Sequence, residues 1–548
     1  MNLPHSFFII RGMVFTALLL SSCGTLCPSK HDLPATASSP GIHQVSPPTA
    51  AGAPMVPAGA KISCENIKDL TLPDTSITKS ELIHSGWQVP LSGNEPYPPD
   101  FQLIVNSDFC RVAGTIAPSI HFEVWLPLGT NDHPWNGKFL GVGNVGLAGF
   151  ISYDHMKNMV KLGYATASSD TGHQADPAEG AWMRNAPQQR EDFSSRSTHV
   201  MTINAKAIIQ AYYGKPSAYS YFTGCSGGGQ QGLMEAQRYP DDYNGIVAGA
   251  PVYYRTRTWP SEIWPPFVIR RSPENALPLE KLPAIHRAVL SACDVNDGLV
   301  DGVINDPASC TFDPLAMLCQ DAANSDCLTK GEANSLSLIY DGLRDPSTGE
   351  LFWPGLTRGS ELGWAEGNGL LPEPLAVPHA YLKYVVFAEQ PDWDWRSLNF
   401  TDPRDFAILR KADAMHGNTL NANSPDLTEF INRGGKLIMY HGWADQQIAP
   451  QGSVNYYKEV VAFMGDEAKV QQSLRLFMIP GMAHCSGGEG PGLFNTSAAI
   501  EAWVEKGLPP AQVHNPAGTR LLCTYPQVAV YRGSGDTNDV TNFRCKNP

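Results

Sequence analysis

The amino-acid sequence predicts an α/β fold that is interrupted by a large insertion, and three observations support this prediction. Residues 218–236 are typical of a buried strand, a glycine-rich turn and a helix in direct succession. Residues 436–445 and 473–485 each resemble a strand that ends in a loop with polar residues. Between the first and second of these segments the sheet needs only one more strand, and a strand–helix–strand unit takes about 30 residues. Most of residues 252–430 are therefore predicted to form an inserted domain.

Composition limits the classes of protein that fit. The 548 residues carry a net charge of −14, whereas a nucleic-acid partner would require a basic face. No apolar stretch of membrane-spanning length follows the N-terminal segment. The 12 cysteines indicate an oxidising compartment, since a chain this long needs no disulfides to stabilise its core. We therefore expect a large exported globular protein without a nucleic-acid partner.

The N-terminus predicts export. Residues 1–22 are typical of a signal peptide, with Arg11 ahead of an apolar run. The tetrad Leu-Ser-Ser-Cys that ends at Cys23 resembles a bacterial lipobox, in which the cysteine becomes the lipidated first residue; an ordinary signal peptide is the alternative. Residues 23–60 are rich in Pro, Ala and Ser and predict a flexible tether. We expect a protein that is lipid-anchored at the outer membrane or periplasmic, and otherwise secreted, with the lipid as its only membrane contact.

The predicted strand–turn–helix carries the pattern Gly224-x-Ser226-x-Gly228. A serine on a sharp turn of this kind points its hydroxyl into a cleft, and small neighbours are needed because the backbone has little room. The N–H of Gly227 lies at the helix start, where a developing negative charge is stabilised. The pattern is that of the nucleophile elbow of α/β hydrolases, although a glycine-rich turn with a chance serine is the alternative.

A serine nucleophile in this fold needs an acid and then a base later in the chain. Asp445 lies in the loop after one predicted strand, and His484 lies in the loop after the next. Catalytic groups occupy such carboxyl ends of strands in open α/β sheets. We expect Asp445 to orient His484, which would deprotonate Ser226 and then protonate the leaving alcohol. The alternative is a helix cap at Asp445 and an ordinary loop histidine.

Ten cysteines lie within residues 61–548, and an even number in an exported protein predicts disulfides. Pairing of near neighbours is the simplest expectation and gives Cys293–Cys310, Cys319–Cys327 and Cys523–Cys545. Cys225 directly precedes Ser226, and Cys485 directly follows His484. If the serine and histidine are within hydrogen-bond range, these cysteines lie roughly 5–6 Å apart, which is a disulfide span. A bridge between them would tie the loop of the base to the nucleophile.

Together these motifs resemble the tannase and feruloyl esterase family of α/β hydrolases, which includes hydrolases of mono(hydroxyethyl) terephthalate. The resemblance covers most of residues 61–548 and includes the cysteine spacing. Its motifs are residues 136–146, 224–228, 441–445 and 481–485. It implies a catalytic triad of Ser226, Asp445 and His484. It also implies a first disulfide between Cys64 and Cys110, besides the bridge between the cysteines of the triad loops.

The resemblance further implies where the oxyanion of the reaction would be bound. The glycine-rich oxyanion loop of the family corresponds to residues 143–146, in which Val145 stands where relatives often have glycine. The expected donors are the N–H groups of Gly227 and, within this loop, of Val145 and Gly146.

The inserted residues 252–430 are predicted to form a lid above the carboxyl edge of the sheet, and residues 61–251 and 431–548 the catalytic domain. Six of the 12 tryptophans fall in the lid. They are Trp259, Trp264, Trp353, Trp364, Trp393 and Trp395. We expect most of them to form the core of the lid and one or two to line a cleft, because aromatic side chains stack well on aromatic acyl groups.

Three carboxylates lie close together in the lid sequence, at Asp294, Asp297 and Asp301, with glycines that allow tight turns. Carboxylate and carbonyl oxygens suit Ca²⁺. A pair of Asx turns is the alternative, since the spacing is not that of an EF-hand. The resemblance implies a structural calcium ion held by these side chains and by the carbonyls of Leu299 and Val303. No organic cofactor is expected.

Two histidines outside the predicted triad need an interpretation. His441, four residues before Asp445, is expected either to bind the substrate or to hydrogen-bond nearby backbone. His173 precedes the nucleophile and has no cysteine partner, so we interpret it as structural.

The sequence therefore predicts an exported serine esterase that forms an acyl-enzyme at Ser226, and the resemblance implies esters of aromatic acids such as ferulate or gallate. Hydrolysis of a terephthalate half-ester is the alternative, and its free carboxylate would require an arginine of the lid in the cleft. The candidate arginines are Arg255, Arg257, Arg270, Arg271 and Arg396. The alternative of another class is a non-catalytic, surface-binding lipoprotein on a hydrolase fold.

Overall fold

A computed structural model describes most of the chain after the predicted tether. The described residues are 61–98, 100–130, 134–320, 324, 326–367 and 369–548. The predicted signal peptide, the tether and Cys23 lie outside them, so export and lipidation stay predictions. No helix within the described ranges combines the length and the apolar character that crossing a membrane requires.

Within the described residues, nine strands form one mixed sheet. They are β1 (Thr75–Ile83), β2 (Phe109–Ile116), β3 (Ile120–Pro127), β4 (Lys138–Val142), β5 (Ala165–Ser169), β6 (Tyr219–Cys225), β7 (Gly245–Gly249), β8 (Lys436–Gly442) and β9 (Leu474–Ile479). Their order in space is β1-β2-β3-β5-β4-β6-β7-β8-β9. The first three neighbouring pairs in this order, β1-β2, β2-β3 and β3-β5, are antiparallel. The remaining five pairs, from β5-β4 to β8-β9, are parallel. The carboxyl ends of β6, β8 and β9 therefore lie at one edge of the sheet.

The described helices cover both faces of this sheet and fill the insertion. They are α1 (Tyr153–Lys161), α2 (Pro187–Glu191), α3 (Ser197–Tyr213), α4 (Gly227–Arg238), α5 (Arg255–Glu262), α6 (Trp264–Arg270), α7 (Leu282–Cys293), α8 (Lys330–Asp341), α9 (Ala376–Tyr381), α10 (Pro403–Leu420), α11 (Thr428–Asn432), α12 (Gln451–Met464), α13 (Glu467–Val470) and α14 (Thr496–Lys506). Met156 of α1 and Trp503 of α14 pack in one apolar core, while Ile208 of α3 and Leu233 of α4 pack in the other. Because both faces are covered, the parallel strands β5 and β7 are buried along their whole length. This confirms the predicted α/β-hydrolase fold.

The insertion packs on the sheet domain through a shared core. The ring of Tyr253, just after β7, contacts both Trp353 of the insertion and Tyr456 of α12, with ring centroids 5.6 and 5.1 Å apart. Gln237 of α4 donates through Nε2 to the carbonyl of Ala422 at 2.7 Å. All six tryptophans of the insertion are buried. The six tryptophans are therefore core residues, and they belong to the same apolar core as Ile208 of α3 and Leu233 of α4.

Five disulfides are present in the described part of the chain, and their pairing is the expected one. They are Cys64–Cys110, Cys225–Cys485, Cys293–Cys310, Cys319–Cys327 and Cys523–Cys545. Four of them join cysteines at most 46 residues apart, whereas the Cys225–Cys485 bridge spans 260 residues. Only this long-range bridge connects the end of β6 to the loop after β9.

Candidate active site

Ser226 lies on the turn between β6 and α4. Its backbone has φ 61° and ψ −118°, a strained conformation for a residue other than glycine. The turn is held by hydrogen bonds from the Ser226 N–H to the Gly249 carbonyl (2.9 Å) and from the Gln230 N–H to the Ser226 carbonyl (3.0 Å). Gly224 is required there because a Cβ would lie 2.5 Å from the carbonyl carbon of Gly228. The side chain of Ser226 is half-buried at the carboxyl edge of the sheet.

Asp445 is fully buried and accepts hydrogen bonds from three directions. His484 Nδ1 lies 2.7 Å from Asp445 Oδ2, and the N–H groups of Gln447 and Ile448 donate to Oδ1 at 2.8 and 2.9 Å. Burial alone would raise the pKa of Asp445, but the neighbouring His484 and His441 hold it well below its usual value. Asp445 is therefore an anion that fixes Nδ1 of His484 as a donor and leaves Nε2 free to act as a base.

The loop of His484 approaches β8 closely because residue 442 is a glycine. A Cβ on Gly442 would collide with the carbonyl oxygen of Met482. The N–H of Trp443 donates to the Ile479 carbonyl at 2.8 Å, and the N–H of Ala444 donates to the Met482 carbonyl at 3.0 Å. The loops after β8 and β9 are thus joined through backbone, which places acid and base side by side.

His441 hydrogen-bonds a nearby backbone carbonyl, which is one of the two expectations for this residue, while a contact with substrate stays a prediction. Its side chain is fully buried. Nε2 lies 3.0 Å from Asp445 Oδ2 and 3.1 Å from the Ile448 carbonyl, and Nδ1 lies 2.7 Å from Ser453 Oγ. Because Nε2 faces two acceptors, it carries the proton, and the Ser453 hydroxyl donates to Nδ1. His441 therefore positions Asp445 by donating to Oδ2, the same oxygen that contacts His484 Nδ1.

The Cys225–Cys485 disulfide joins the residue before Ser226 to the residue after His484, with the Cα atoms 5.9 Å apart. It brings the serine and the histidine to the same point of the sheet edge. In the part of the chain that the structure describes, the side chain of His484 is hydrogen-bonded to Asp445 and not to Ser226. Hydrogen bonds between a base and its nucleophile are often long in ligand-free enzymes and shorten in the substrate complex.

Replacing both cysteines, as Cys225→Ala with Cys485→Ala, is expected to lower kcat by about 10- to 100-fold, because small misplacements of catalytic groups cost that much. Loss of a disulfide should also lower stability, by about 2–5 kcal/mol. Cys523→Ala with Cys545→Ala is the matched control, since its Cα atoms are 5.7 Å apart but it joins two small sheets outside the loops of the triad. Steady-state kinetics and thermal unfolding measure both effects. Equal kcat values for the two double variants would show that the bridge at the triad has no catalytic role.

The loop after β4 lies against the start of α4. A Cβ on Gly227 would lie 3.2 Å from the Gly146 carbonyl oxygen, and a Cβ on Gly228 would lie 2.8 Å from the Asn144 carbonyl oxygen. The predicted oxyanion loop and the N–H of Gly227 are thus next to each other and next to Ser226. Only glycines at the start of α4 permit this approach.

Some backbone N–H groups of residues 143–148 already donate hydrogen bonds, and others have no acceptor in the described part of the chain. The N–H of Asn144 donates to Gln231 Oε1 at 2.9 Å, and the N–H groups of Leu147 and Ala148 donate to backbone carbonyls. Those of Val145 and Gly146 have no acceptor among the described residues. The side chain of Val145 is 41% exposed, so it does not cover them.

His484 opens into a cleft of about 710 Å³ between the insertion and the loops after β8 and β9. Trp443 lines it from the sheet domain, whereas none of the six tryptophans of the insertion lines it. Ser226 does not line this cleft either, so the expectation that one or two of those tryptophans line the substrate cleft stays a prediction. The side chains of these six tryptophans are packed in the apolar core, and each of the six residues is less than 10% exposed.

The arginine that faces this cleft is Arg358, which the sequence-based candidates did not include. Its Nε donates to the Phe312 carbonyl at 3.0 Å, and its guanidinium lies 4.6 Å from the centroid of the Tyr340 ring. It forms no ion pair with any described carboxylate. A lone arginine in a loop has no pattern that sequence reasoning could detect.

The five expected candidates do not line this cleft. Arg257 is paired with Asp413, at 2.9 Å, and both Arg270 and Arg396 are paired with Glu373. Arg271 is exposed. Arg255 is fully buried.

The predicted calcium loop contains turns of the alternative kind, since Asp297 accepts from the Leu299 N–H and Asp294 from the Gly302 N–H, and its remaining oxygen atoms also fit a hard cation. Asp294 and Asp297 are buried, and Oδ1 of Asp301 is buried without a hydrogen-bond partner, while Arg520 pairs with Oδ2 at 2.9 Å. Burial and the neighbouring carboxylates raise the pKa of Asp297 to about 6. Within the described residues, no backbone N–H donates to the carbonyl oxygens of Leu299 or Val303. Crowded carboxylates together with free carbonyls are the donor set that Ca²⁺ prefers.

A second group of possible ligands lies elsewhere in the described chain. His199, Glu235 and Asp242 place one ligand atom each within 4.8 Å of one another. Burial and the nearby Asp242 raise the pKa of Glu235 well above its usual value. The ammonium group of Lys206 donates to the Asp242 carbonyl. His199 Nδ1 lies 2.6 Å from Asp242 Oδ2, so two of the three possible ligands already contact each other.

Comparison with known proteins agrees with this site. The family model "Tannase and feruloyl esterase" matches residues 104–546. An uncharacterized esterase of Xanthomonas campestris is 35% identical over 90% of this chain and 93% of that protein, and probable feruloyl esterase B-1 of Aspergillus flavus is 31% identical over 88% and 95%.

Solved structures give the same result. Feruloyl esterase B from Aspergillus oryzae superposes with a TM-score of 0.78 at 27% identity, over 88% of this chain and all of that one. An esterase from Aspergillus oryzae superposes with a TM-score of 0.79 at 30% identity, over 88% of this chain and 99% of that one. With its elbow, acid and base at one sheet edge, the chain belongs to the tannase and feruloyl esterase family of carboxylic ester hydrolases.

Proposed function

We propose that this protein hydrolyses esters of aromatic acids through an acyl-enzyme at Ser226. The observation that carries the proposal is the arrangement at the sheet edge. Ser226 lies on a strained turn that is disulfide-bonded to the loop of His484, and His484 is hydrogen-bonded to the buried Asp445. A nucleophile, a base and an orienting anion in this relation form the machinery of acyl transfer.

In this mechanism Ser226 Oγ attacks the ester carbonyl while Nε2 of His484 removes its proton. Asp445 stabilises the imidazolium that results. The negative charge on the carbonyl oxygen is stabilised by the N–H groups of Gly227, Val145 and Gly146. His484 then protonates the departing alcohol. Water, deprotonated by the same histidine, releases the aromatic acid and restores the serine.

The named relatives support an aromatic acyl group, since they are described as feruloyl esterases. The test is turnover of methyl ferulate, methyl gallate and a terephthalate half-ester by the purified protein, with ethyl acetate as a non-aromatic control. The proposal predicts that at least one aromatic ester is cleaved far faster than the acetate. Equal rates on the acetate and on every aromatic ester would contradict it.

A second candidate substrate is a half-ester with a free carboxylate, and Arg358 favours it. Arg358→Gln is expected to lower kcat/KM for a terephthalate half-ester by about 10- to 100-fold, because a charge-assisted hydrogen bond is lost. Its neutral methyl ester should be affected little. Arg396→Gln is the control, since Arg396 is paired with Glu373 outside the cleft. If the Arg358→Gln variant loses the same factor on both esters, the arginine does not recognise the carboxylate.

We also propose that the loop of Asp294, Asp297 and Asp301, with the carbonyls of Leu299 and Val303, holds a structural Ca²⁺. Bound calcium would neutralise the carboxylates and so stabilise the insertion. Removal of calcium by EDTA is expected to lower the melting temperature by on the order of 5 °C, and added calcium should restore it.

Two variants test the calcium proposal. Asp301→Asn should abolish the calcium response of the melting temperature, whereas Asp392→Asn, at an exposed position of the insertion, should retain it. A melting temperature that EDTA leaves unchanged in the wild-type protein would contradict a calcium ion at this loop.

We further propose export, with lipidation at Cys23. Five disulfides support folding in an oxidising compartment. Labelling of cells with a radioactive fatty acid tests the anchor, because Cys23→Ser should abolish incorporation into this protein.

A further inference from the structure

Arg255 begins α5 and is the only fully buried arginine among the described residues. The start of this helix is fastened to the residue after α10. The N–H of Thr256 donates to Asn421 Oδ1 at 3.1 Å, and Asn421 Nδ2 donates to Thr256 Oγ1 at 2.8 Å. The backbone that carries Arg255 is therefore held in the interior.

The two faces of the Arg255 guanidinium and its edges have different surroundings. Its carbon atom lies 4.3 Å from the ring centroid of Phe193 and 5.4 Å from that of Trp259, so aromatic rings stabilise the cation. The N–H bonds point outward in the plane of the group. Neither Nε nor either Nη has an acceptor in the described parts of the chain, and all three atoms are buried.

No described carboxylate balances the charge of Arg255. Asp413 pairs with Arg257, and Asp192, next to Phe193, pairs through Oδ1 with Arg196 at 2.7 Å. The buried Oδ2 of Asp192 has no hydrogen-bond partner among the described residues, and it forms no ion pair with Arg255. Burial lowers the pKa of Arg255 to about 9, so the side chain is still a cation at neutral pH. A buried charge without a counter-charge is strongly unfavourable.

Four hydroxyl groups on the surrounding elements also have no hydrogen-bond partner within the described ranges. Ser194 directly follows Phe193 in the chain, and Ser197 lies one helical turn after Phe193. Thr258 lies one helical turn after Arg255. The ring of Tyr381 contacts that of Trp259, with centroids 5.1 Å apart. All four residues are almost completely buried. Hydroxyl groups can rotate to donate, so guanidinium and hydroxyls together offer donors and positive charge.

We propose that Arg255 and these hydroxyl groups form an internal binding site for a small monovalent anion of the size of chloride. One anion would balance the single charge and accept hydrogen bonds from the edges of the guanidinium. The site is made by α3, α5 and α9 and the segment before α3, and it uses none of the residues proposed for ester hydrolysis. Its occupant stabilises the folded protein.

Thermal unfolding of the wild-type protein at constant ionic strength tests this site, with sodium chloride exchanged for sodium gluconate, whose anion is too large. The melting temperature should rise by about 1–3 °C in chloride. Arg255→Met should abolish the chloride dependence, whereas Arg257→Met should retain it, because Arg257 already has a carboxylate partner.

A second measurement does not depend on a variant that folds. Crystals of the wild-type protein grown or soaked in bromide should show an anomalous peak within hydrogen-bond distance of the Arg255 guanidinium. A peak there together with the chloride dependence supports the site. If the peak is absent and the melting temperature is the same in both salts, only water solvates Arg255 and the proposal is wrong.

Discussion

Ser226→Ala is expected to lower ester turnover by about 10⁴-fold or more, because no other group can take the acyl chain at the turn. The expected loss lies in kcat. Ser226 Oγ accepts and donates no hydrogen bond within the described structure, and alanine, which has the same Cβ as serine, adds no strain at φ 61°. The variant should therefore fold normally, with an unchanged circular dichroism spectrum and melting temperature.

Ser217→Ala is the matched control for this experiment. Ser217 precedes the amino end of β6, the same strand whose carboxyl end carries Ser226, and its hydroxyl contacts only Ser220. Its replacement should leave kcat within a factor of two of wild type, as surface substitutions usually do. A Ser226→Ala variant that keeps a tenth of the wild-type rate would mean that another residue is the nucleophile.

Asp445→Asn is expected to lower kcat by about 10⁴-fold with little change in KM. The buried carboxylate now accepts from His484, His441 and two backbone N–H groups. An amide can satisfy the backbone donors through its oxygen, but its NH₂ then faces both histidines and favours the wrong tautomer of His484. The base would then point a proton, and not a lone pair, at the serine.

The control for Asp445→Asn separates catalysis from loss of a loop hydrogen bond. Asp466 caps α13 by accepting from the Lys469 N–H at 3.2 Å, remote from the triad. Asp466→Asn should change the melting temperature slightly and kcat not at all. If Asp445→Asn lowers only the melting temperature, Asp445 is a structural loop residue and the histidine is oriented by another group.

The parts of this site that could be predicted are those with a local pattern in the chain. The elbow is a run of glycines around Ser226, and acid and base each follow a strand-like segment. Ser226 and His484 are each next to a cysteine in the chain, at Cys225 and Cys485. Because a disulfide has a fixed span, a bridge between these cysteines predicts that the serine and the histidine lie close together. At this site, a short sequence pattern therefore predicts a contact between segments that are far apart in the chain.

Other features depend on contacts between distant segments, which no local pattern encodes. The hydrogen bonds of His441 are made with Ser453 Oγ, the Ile448 carbonyl and Asp445, and the first of these partners lies 12 residues away in the chain. Arg358 lines the cleft because of the way the inserted residues fold over the sheet edge, which its neighbours in the sequence do not reveal. Similarly, β5 lies between β3 and β4 in the sheet, although it follows both in the chain.

Covalent labelling can show directly whether Ser226 carries the acyl group. The wild-type protein is treated with a fluorophosphonate, which reacts with activated serines, and the modified peptide is identified by mass spectrometry. We predict one adduct per chain, located on Ser226, with loss of ester turnover in proportion to labelling. It should be absent from Ser226→Ala and strongly slowed in Asp445→Asn. An adduct on a different residue, or full turnover in a protein labelled at Ser226, would mean that Ser226 does not carry the acyl group.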